Sequence, residues 1–158
     1  MSELKIVCDI WEFHRAGEVP ALAIPGFPSQ ERIDLRKSLI QEEVGETLKA
    51  LDERDLVEVA DGIADSIVVL VGTALELGID LTAVWDEVHR SNMAKFPECP
   101  KCWGSGQVGV DEEHDRRCHA CGGRGTQLLR RDDGKIMKPE GWTAPDITSI
   151  LKAQGANL

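Results

Sequence analysis

Two acidic segments, residues 39–46 and 58–65, carry the side chains whose types and spacing could support chemistry. On a helix that turns about 100° per residue, Glu43 and Glu46 lie in line with the apolar Leu39. Carboxylates on a face that should pack against protein are unfavourable unless they are paired or bind a metal. The first segment therefore predicts a helix that presents carboxylates to a neighbouring element.

The second acidic segment repeats this arrangement. Glu58, Asp61 and Asp65 follow an i, i+3, i+7 pattern that continues into the apolar Val68. If the two helices lie antiparallel, the two acidic stripes can face each other across a partly dry groove. Hard oxygen ligands in this number suit Mg²⁺ or Mn²⁺. The alternative is two solvated acidic helix faces, but the duplicated stripe and its apolar neighbours favour a metal site.

Four of the five cysteines form two C-x-x-C pairs, each within the repeat C-x-x-C-x-G-x-G. Two thiolate pairs with this spacing supply four tetrahedral ligands for Zn²⁺. Because four cysteines leave no open coordination position, the predicted role of the zinc is structural. The predicted ligands are Cys99, Cys102, Cys118 and Cys121, while His114 and His119 are expected to be bystanders.

Composition narrows the function classes. The chain has 158 residues and a formal net charge of −10, which argues against binding to anionic membranes and against strong nucleic-acid binding. No apolar stretch is long enough to span a bilayer, and residues 1–5 do not resemble a signal peptide. We therefore expect a soluble, cytoplasmic protein, in which paired cysteines bind metal rather than form disulfides.

The elements that must position these groups are helical. Apolar spacing predicts a first helix over residues 2–16 and three further helices before residue 96. Ser29 and Asp80 are the expected N-caps of the second and fourth helices, and Asp55 or a neighbour is expected to start the third. Gly78 is the expected glycine after the end of the third. The predicted fold is all-α, a domain of the four-helix-bundle type, with a small inserted Cys₄ zinc module.

Individual positions carry further expectations. Cys8 is predicted to be a small buried residue and His14 a surface or capping residue. Gly45 would mark a close approach to another helix or a ligand. The proline-rich loop 19–28 is a candidate functional loop because it lies near the acidic helices in sequence. Trp142 is expected to pack against the bundle or to cover a nucleobase.

The composition changes abruptly after Phe96. The predicted domains are residues 1–96 plus 130–158, which form the helical domain, and residues 97–129, which form the zinc-binding insert. An insert of this size has too little apolar core to fold without metal.

The acidic segments read EExxE and ExxD, which resembles the signature of the all-α NTP pyrophosphohydrolases. That superfamily includes MazG-like proteins, dimeric dUTPases and phosphoribosyl-ATP pyrophosphohydrolases. The wider sequence is similar to one MazG-like subgroup over residues 1–96 and 130–151. The segments that carry this similarity are 13–14, 59–65, 72–74, 78–80, 87–95, 133–138 and 142–146. Residues 97–129 depart from the pattern and resemble half of a DnaJ-type zinc region.

This resemblance implies Mg²⁺- or Mn²⁺-dependent hydrolysis of a nucleoside triphosphate between its α and β phosphates, as in nucleotide-pool house-cleaning. It implies that the direct metal ligands are Glu43, Glu46, Glu58 and Asp61. Glu42 would be a further ligand or the general base. The implied substrate-binding residues are His14, Asp65, Arg90, Asn92, Lys95 and Trp142, with Asp65 behind the direct ligands.

The resemblance also implies a homodimer or homotetramer. Two alternative functions stay open at this stage. One is phosphoribosyl-ATP hydrolysis, which keeps the chemistry and changes the substrate. The other is a non-catalytic helical module whose zinc knuckles bind protein or RNA.

Overall fold

The computed structural model describes residues 5–109 and 116–158, and the regular secondary structure in these ranges is helical. The helices are α1 (Lys5–Ala16), α2 (Gln30–Glu53), α3 (Leu56–Glu76), α4 (Leu81–Met93) and α5 (Ile147–Ala153). Extended pairing within the described ranges is limited to three isolated antiparallel bridges. The predicted all-α fold is confirmed.

Short polar residues set the helix starts, as the sequence predicts. The Ser29 hydroxyl accepts a hydrogen bond from the Arg32 N–H at the start of α2. The Asp55 carboxylate accepts two N–H groups in the first turn of α3, and Asp80 does the same for α4. Each cap satisfies donors that the helix itself leaves unpaired. Gly78, with φ of 69°, follows the end of α3 in the left-handed region.

Helices α2 and α3 form an antiparallel hairpin. Thr47, near the end of α2, lies beside Ser66 of α3, with 3.2 Å between their hydroxyl oxygens. Arg32, near the start of α2, binds Glu76 at the end of α3. Because the pairing runs in opposite directions along the two helices, their acidic segments meet at the same end of the hairpin. Helix α1 packs on α3.

The apolar core of this helical part is small. Val7 and Ile10 of α1 are buried against Val71 of α3, and partly buried Val68, Leu75 and Leu81 pack around them. Most of the large apolar residues of α2 and of the first half of α3 are exposed. The exposed residues include Leu35, Leu48, Leu51, Leu56, Val57 and Ile63. A single copy of the chain therefore leaves a broad apolar surface on the α2–α3 hairpin uncovered.

The chain divides into two compact units. The first unit extends to Trp85 and resumes from Asp146 to Leu158, and the second comprises Asp86–Pro145. The predicted insert, residues 97–129, falls within the second unit, and its status as a separate domain stays a prediction. Among the described helices, none alone is long and apolar enough to cross a membrane, although α3 and α4 meet the length and composition criteria as a pair bent by 117°.

Three sequence expectations are wrong. Cys8 is exposed, because it lies outside the α1 face formed by Val7 and Ile10. Gly45 has nothing within 4 Å of the position that a Cβ atom would occupy, so the expected helix contact is absent from the described part of the chain, and the alternative of a ligand stays a prediction. His14 is buried rather than on the surface, with 3% of its area exposed.

The loop 19–28 does not lie at the acidic end of the hairpin. Its Leu22 and Gly26 N–H groups donate to the carbonyls of Glu76 and Leu77, at the end of α3. Asp61 lies fifteen residues earlier on the same helix, which is about 22 Å along the axis at 1.5 Å per residue. The loop therefore serves to cover the far end of α3.

Candidate functional site

The acidic residues of α2 and α3 meet at one end of the hairpin. Glu42 and Glu46 are exposed and Glu43 is partly buried on α2, while Glu58, Asp61 and Asp65 are exposed on α3. The hydroxyl of Thr47 donates to the Glu43 carbonyl and lies beside Ser66, which fixes the two helices against each other at this point. The site is an open acidic surface rather than the partly dry groove that the sequence predicts.

Glu43 is the centre of this surface electrostatically. Its partial burial raises the pKa of its carboxyl group, and so do the negative charges of four other carboxylates. In decreasing order of effect these belong to Asp65, Glu46, Glu42 and Asp61. Two helices thus direct negative charge onto one carboxyl group, as like charges at short range do. A divalent cation bound among them would remove this repulsion.

The predicted ligands are not equally close to that centre. Glu58 is absent from the charges that shift the pKa of Glu43, and it lies in the first turn of α3. Within the described ranges, no three carboxylates place their oxygen atoms within 4.8 Å of one another. The side chains therefore share a surface without forming a closed ligand set in the single chain. Asp65, predicted to lie behind the ligands, acts on Glu43 more strongly than Asp61 does.

A buried polar network, which the sequence interpretation missed, joins α2 and α3. Glu76 is 1% exposed, and its Oε2 accepts hydrogen bonds from Arg32 at 2.6 and 3.0 Å. Its Oε1 lies 3.2 Å from Nη1 of Arg36 as an ion pair that lacks hydrogen-bond geometry. Arg36 also donates to the Thr73 hydroxyl and to the Val69 carbonyl. The signal in the sequence was a glutamate within the apolar stretch of α3, with two arginines on α2.

His14 belongs to this interior. A Cβ atom on Gly72 would lie 2.6 Å from His14 Nε2 and 3.0 Å from Arg36 Nη2, so Gly72 provides the space for both side chains. Burial lowers the pKa of His14; the charges of Arg36 and Arg32 lower it further, and Glu76 opposes them. Its Nδ1 is buried without a hydrogen-bond partner. In this arrangement the predicted substrate ligand is enclosed by protein.

Apart from Asp65, which lies on α3, the other predicted substrate-binding residues belong to the second unit. Arg90 forms a two-point ion pair with Glu87 one turn earlier on α4. Lys95 donates to the side-chain oxygen of Asn92 at 2.7 Å. Both contacts are between neighbouring residues at the end of α4, and they fix the positions of these side chains. That these residues bind substrate stays a prediction.

Trp142 packs within the second unit. Its indole N–H donates to the Ser91 carbonyl at 2.7 Å, and the Lys138 ammonium lies 3.9 Å from its ring centre. The Ser91 hydroxyl in turn donates to the Thr143 carbonyl. These contacts attach the 138–143 segment to the end of α4, which fits the packing role expected for this residue.

The four paired cysteines form a buried cluster. Their sulfur atoms all lie within 4.8 Å of one another, and among the described residues they form the one group of three or more potential metal ligands. The distances are 3.9 Å between Cys99 and Cys118 and 3.7 Å between Cys102 and Cys121. Tetrahedral zinc with Zn–S bonds of about 2.3 Å requires sulfur atoms about 3.8 Å apart. The geometry therefore fits a structural zinc ion.

The glycines of the two repeats shape this cluster. The Gly125 N–H points to the Cys121 sulfur at 3.3 Å, and Cys118 and Gly106 are joined through their backbones. Burial opposes ionisation of Cys121, but the Gly125 N–H and the other three thiols outweigh it and lower its pKa to about 7. Burial raises the pKa of Cys102 to about 11. Zinc would hold all four as thiolates.

Two histidines, His114 and His119, lie near the cysteines in sequence, and only His119 is among the described residues. His119 lies between the second pair of cysteines and is exposed, outside the buried sulfur cluster. His114 lies outside the described residues. Among the described residues, the potential zinc site therefore consists of the four cysteines and includes no histidine.

Comparison with known families gives one match. The family model described as phosphoribosyl-ATP pyrophosphohydrolase matches residues 11–92, a little over half of the chain. The match covers both acidic segments and ends before the first cysteine repeat. A comparison with curated proteins finds no similar sequence.

Proposed function

We propose that this chain, which belongs to the phosphoribosyl-ATP pyrophosphohydrolase family, is a nucleoside triphosphate pyrophosphohydrolase that depends on Mg²⁺ or Mn²⁺. Membership of this family supports the general reaction, hydrolysis of an acid anhydride. The specific reaction that we propose is cleavage of a (d)NTP between its α and β phosphates, which yields a (d)NMP and pyrophosphate. The observation that carries it is the meeting of the acidic segments of α2 and α3 at one end of the hairpin, where Thr47 lies beside Ser66.

An acidic surface and a polyphosphate repel each other, so the two can meet only through cations. Mg²⁺ bound here would neutralise phosphate charge and lower the pKa of an attacking water. The donor set fits such an ion, because carboxylate oxygens are the ligands it prefers. The chain's own contribution is to hold these oxygens on two helices that Thr47 and Ser66 fix together.

The charges around Glu43 suggest how the acidic residues divide the work. Glu43, Glu46 and Asp61 are the proposed metal ligands, and Asp65 joins them because its charge acts most strongly on Glu43. Glu42 is the proposed further ligand or general base. Glu58, at the start of α3, would complete the set at the rim of the surface.

The description of the matching family favours a second substrate, phosphoribosyl-ATP, which contains the same α–β phosphoanhydride bond. Both substrates call for the same metal-bound carboxylates, so the acidic surface alone does not separate them. The choice rests on the base and sugar, and a substrate panel decides it directly.

The experiment measures pyrophosphate release from dNTPs, NTPs and phosphoribosyl-ATP by the zinc-loaded protein, with and without added Mg²⁺. The variants are Glu46→Gln and Asp65→Asn. The matched control is Asp52→Asn, which removes the same charge from an exposed α2 residue that does not act on Glu43. We expect release that requires metal, that both site variants abolish and that the control retains.

Absence of turnover on every nucleotide, by a folded protein that binds zinc, would overturn the enzyme proposal. It would favour the non-catalytic binding module. Turnover of phosphoribosyl-ATP alone would keep the chemistry and replace the (d)NTP substrate. Full activity of Asp65→Asn would return that residue to a supporting role.

We also propose that the active form is a homodimer or homotetramer built on the α2–α3 hairpin. Leu48, Leu51 and Leu56 are 57%, 53% and 80% exposed in the single chain. Contiguous exposed apolar surface on a soluble helix pair is typical of an interface between subunits. A second copy is the proposed occupant, and it would close one side of the acidic surface.

Light scattering during gel filtration tests this assembly. Leu48→Lys should give a monomer with lowered activity. Leu129→Lys is the control, because Leu129 is similarly exposed, at 54%, but lies in the second unit. A monomeric parent protein, or an unchanged mass for Leu48→Lys, would exclude this interface.

A further inference from the structure

Trp103 occupies an unusual position in the first cysteine repeat. It follows Cys102 directly, its side chain is 80% exposed, and its φ is 50°. The equivalent residue of the second repeat is Gly122, with φ of 60°. The turn therefore requires a left-handed conformation that glycine adopts freely and tryptophan does not.

The large side chain does not improve the fold in any visible way. Its backbone is held by a hydrogen bond from its N–H to the Cys99 carbonyl, a contact that a glycine would make equally well. Exposure keeps the indole ring out of the buried sulfur cluster. A residue held in an unfavourable conformation, with its aromatic ring in solvent, is the pattern expected of a recognition residue.

The surroundings of Trp103 are small and charged. The next residue, Gly104, packs so closely on Gly125 that a Cβ atom on Gly125 would lie 2.3 Å from the Gly104 carbonyl oxygen. Arg124 directly precedes Gly125 in sequence, and its guanidinium lies 3.2 Å from the position of a Cβ atom on Gly122. Lys101 lies two residues before Trp103. Both cations are exposed, and neither forms an ion pair with another described residue. The Glu98 carboxylate also lies near Gly104.

We propose that this surface, defined by Lys101, Trp103 and Arg124, binds single-stranded nucleic acid. An unpaired base would stack on Trp103, and the adjoining phosphates would contact the two cations, as on other stacking platforms. A protein partner would call for apolar residues around the aromatic anchor. The described neighbours of this position are Gly104 and, beside it, the Glu98 carboxylate.

The net charge of the chain does not oppose this surface locally. The first unit contains 18 acidic and 8 basic residues, whereas the second contains 10 of each. The charge of −10 thus belongs to the first unit. It limits affinity over long range, so the proposed binding is weak and depends strongly on salt.

The experiment uses the full chain loaded with zinc and measures anisotropy of labelled 12-mer oligo(U) and oligo(dT) at two salt concentrations. Trp103→Gly is the decisive variant, because Gly122 shows that glycine suits this turn. We expect unchanged zinc content and a rise in Kd of about tenfold, the effect of losing one stacked base. Trp103→Phe should retain most of the affinity. Phe27→Ala, which removes an exposed aromatic ring from the first unit, should have no effect.

Equal binding by Trp103→Gly and the parent protein would overturn the proposal. Failure of the parent to bind either oligonucleotide would overturn it as well. Competition by single nucleotides as effective as that by the 12-mers would also overturn it, in favour of a mononucleotide site. The test involves no hydrolysis, so its result is independent of the proposed enzymatic function.

Discussion

Gly62 of α3 meets Thr47 of α2 at the point where the two acidic segments face each other. A Cβ atom on Gly62 would lie 2.7 Å from Thr47 Oγ1 and 3.2 Å from its Cα. The second contact is with backbone, which cannot rotate away as the end of a side chain can. Gly62 therefore sets the distance between the helices that carry Glu43 and Asp61.

The first prediction compares two glycines in the acidic segments. Gly62→Ala should lower the free energy of unfolding by about 1–3 kcal/mol, because overpacking forces α2 and α3 apart. Gly45→Ala should raise it by about 0.5–1 kcal/mol, because nothing lies within 4 Å and alanine favours the helix. Urea unfolding measures both changes, and pyrophosphate release should fall in Gly62→Ala alone. Equal effects of the two variants would contradict the close approach at Gly62.

The contrast between these glycines shows what sequence patterns can decide. Helix ends were predictable because caps such as Ser29 and Asp55 act on their own first turn. Which glycine lies at a helix crossing depends on how two helices rotate about their axes, and that is a property of tertiary packing. Gly45 and Gly62 therefore carried the same local signal and met different surroundings.

The second prediction concerns Glu43. Its pKa is raised in the folded protein, so the ionised group destabilises the fold above that pKa, and the effect disappears as the pH falls below its ordinary value of 4.5. Glu43→Gln should therefore raise the melting temperature of the zinc-loaded protein at pH 7 without added Mg²⁺ and lose the stabilisation that Mg²⁺ gives the parent protein. Asp52→Asn is the control that retains the response to Mg²⁺. Stabilisation of Glu43→Gln that persists unchanged at pH 4 would exclude this electrostatic cause.

The candidate site, like the fold, was predictable in its local features and not in its tertiary contacts. The EExxE and ExxD spacing identified the acidic residues, and the structure brings five of the six into electrostatic contact around Glu43. The network of Arg32, Arg36 and Glu76 was missed because its members lie more than 35 residues apart and pair only when the hairpin closes. Charged residues that lie far apart in the sequence produce no helical periodicity from which their pairing could be predicted. The metal-binding roles themselves stay predictions.

The third prediction follows from His14. Burial lowers its pKa below 6.5 in the folded protein, so the unfolded chain takes up a proton first as the pH falls. The stability contributed by neutral His14 should therefore be complete above pH 6.5. Below pH 6.5 the free energy of unfolding should decline by up to about 1.4 kcal/mol per pH unit, until the histidine of the folded protein is protonated as well. Arg36 and Arg32 face His14 from α2 and strengthen this effect, and Glu76 of α3 opposes it.

Urea unfolding between pH 5 and pH 8 measures this dependence. His14→Gln, which cannot be protonated in this range, should show a shallower decline than the parent protein. The substitution will lower stability at every pH, so the informative quantity is the difference in slope. Identical slopes would show that His14 does not govern the loss of stability in acid.

The fourth prediction separates the four clustered cysteines from Cys8. Cys102→Ser removes one of the four sulfur atoms that the structure brings within 4.8 Å, and Cys8→Ser removes an exposed thiol on α1. The parent protein and Cys8→Ser should each bind one zinc ion per chain, and Cys102→Ser should bind it weakly or not at all. Because a small unit with a buried cluster of thiols depends on metal to fold, Cys102→Ser should also make residues 97–129 sensitive to protease. Metal analysis and limited proteolysis, with a chelator added to the parent as reference, measure both effects. Full zinc occupancy in Cys102→Ser, or equal loss in Cys8→Ser, would contradict a site made by these four cysteines.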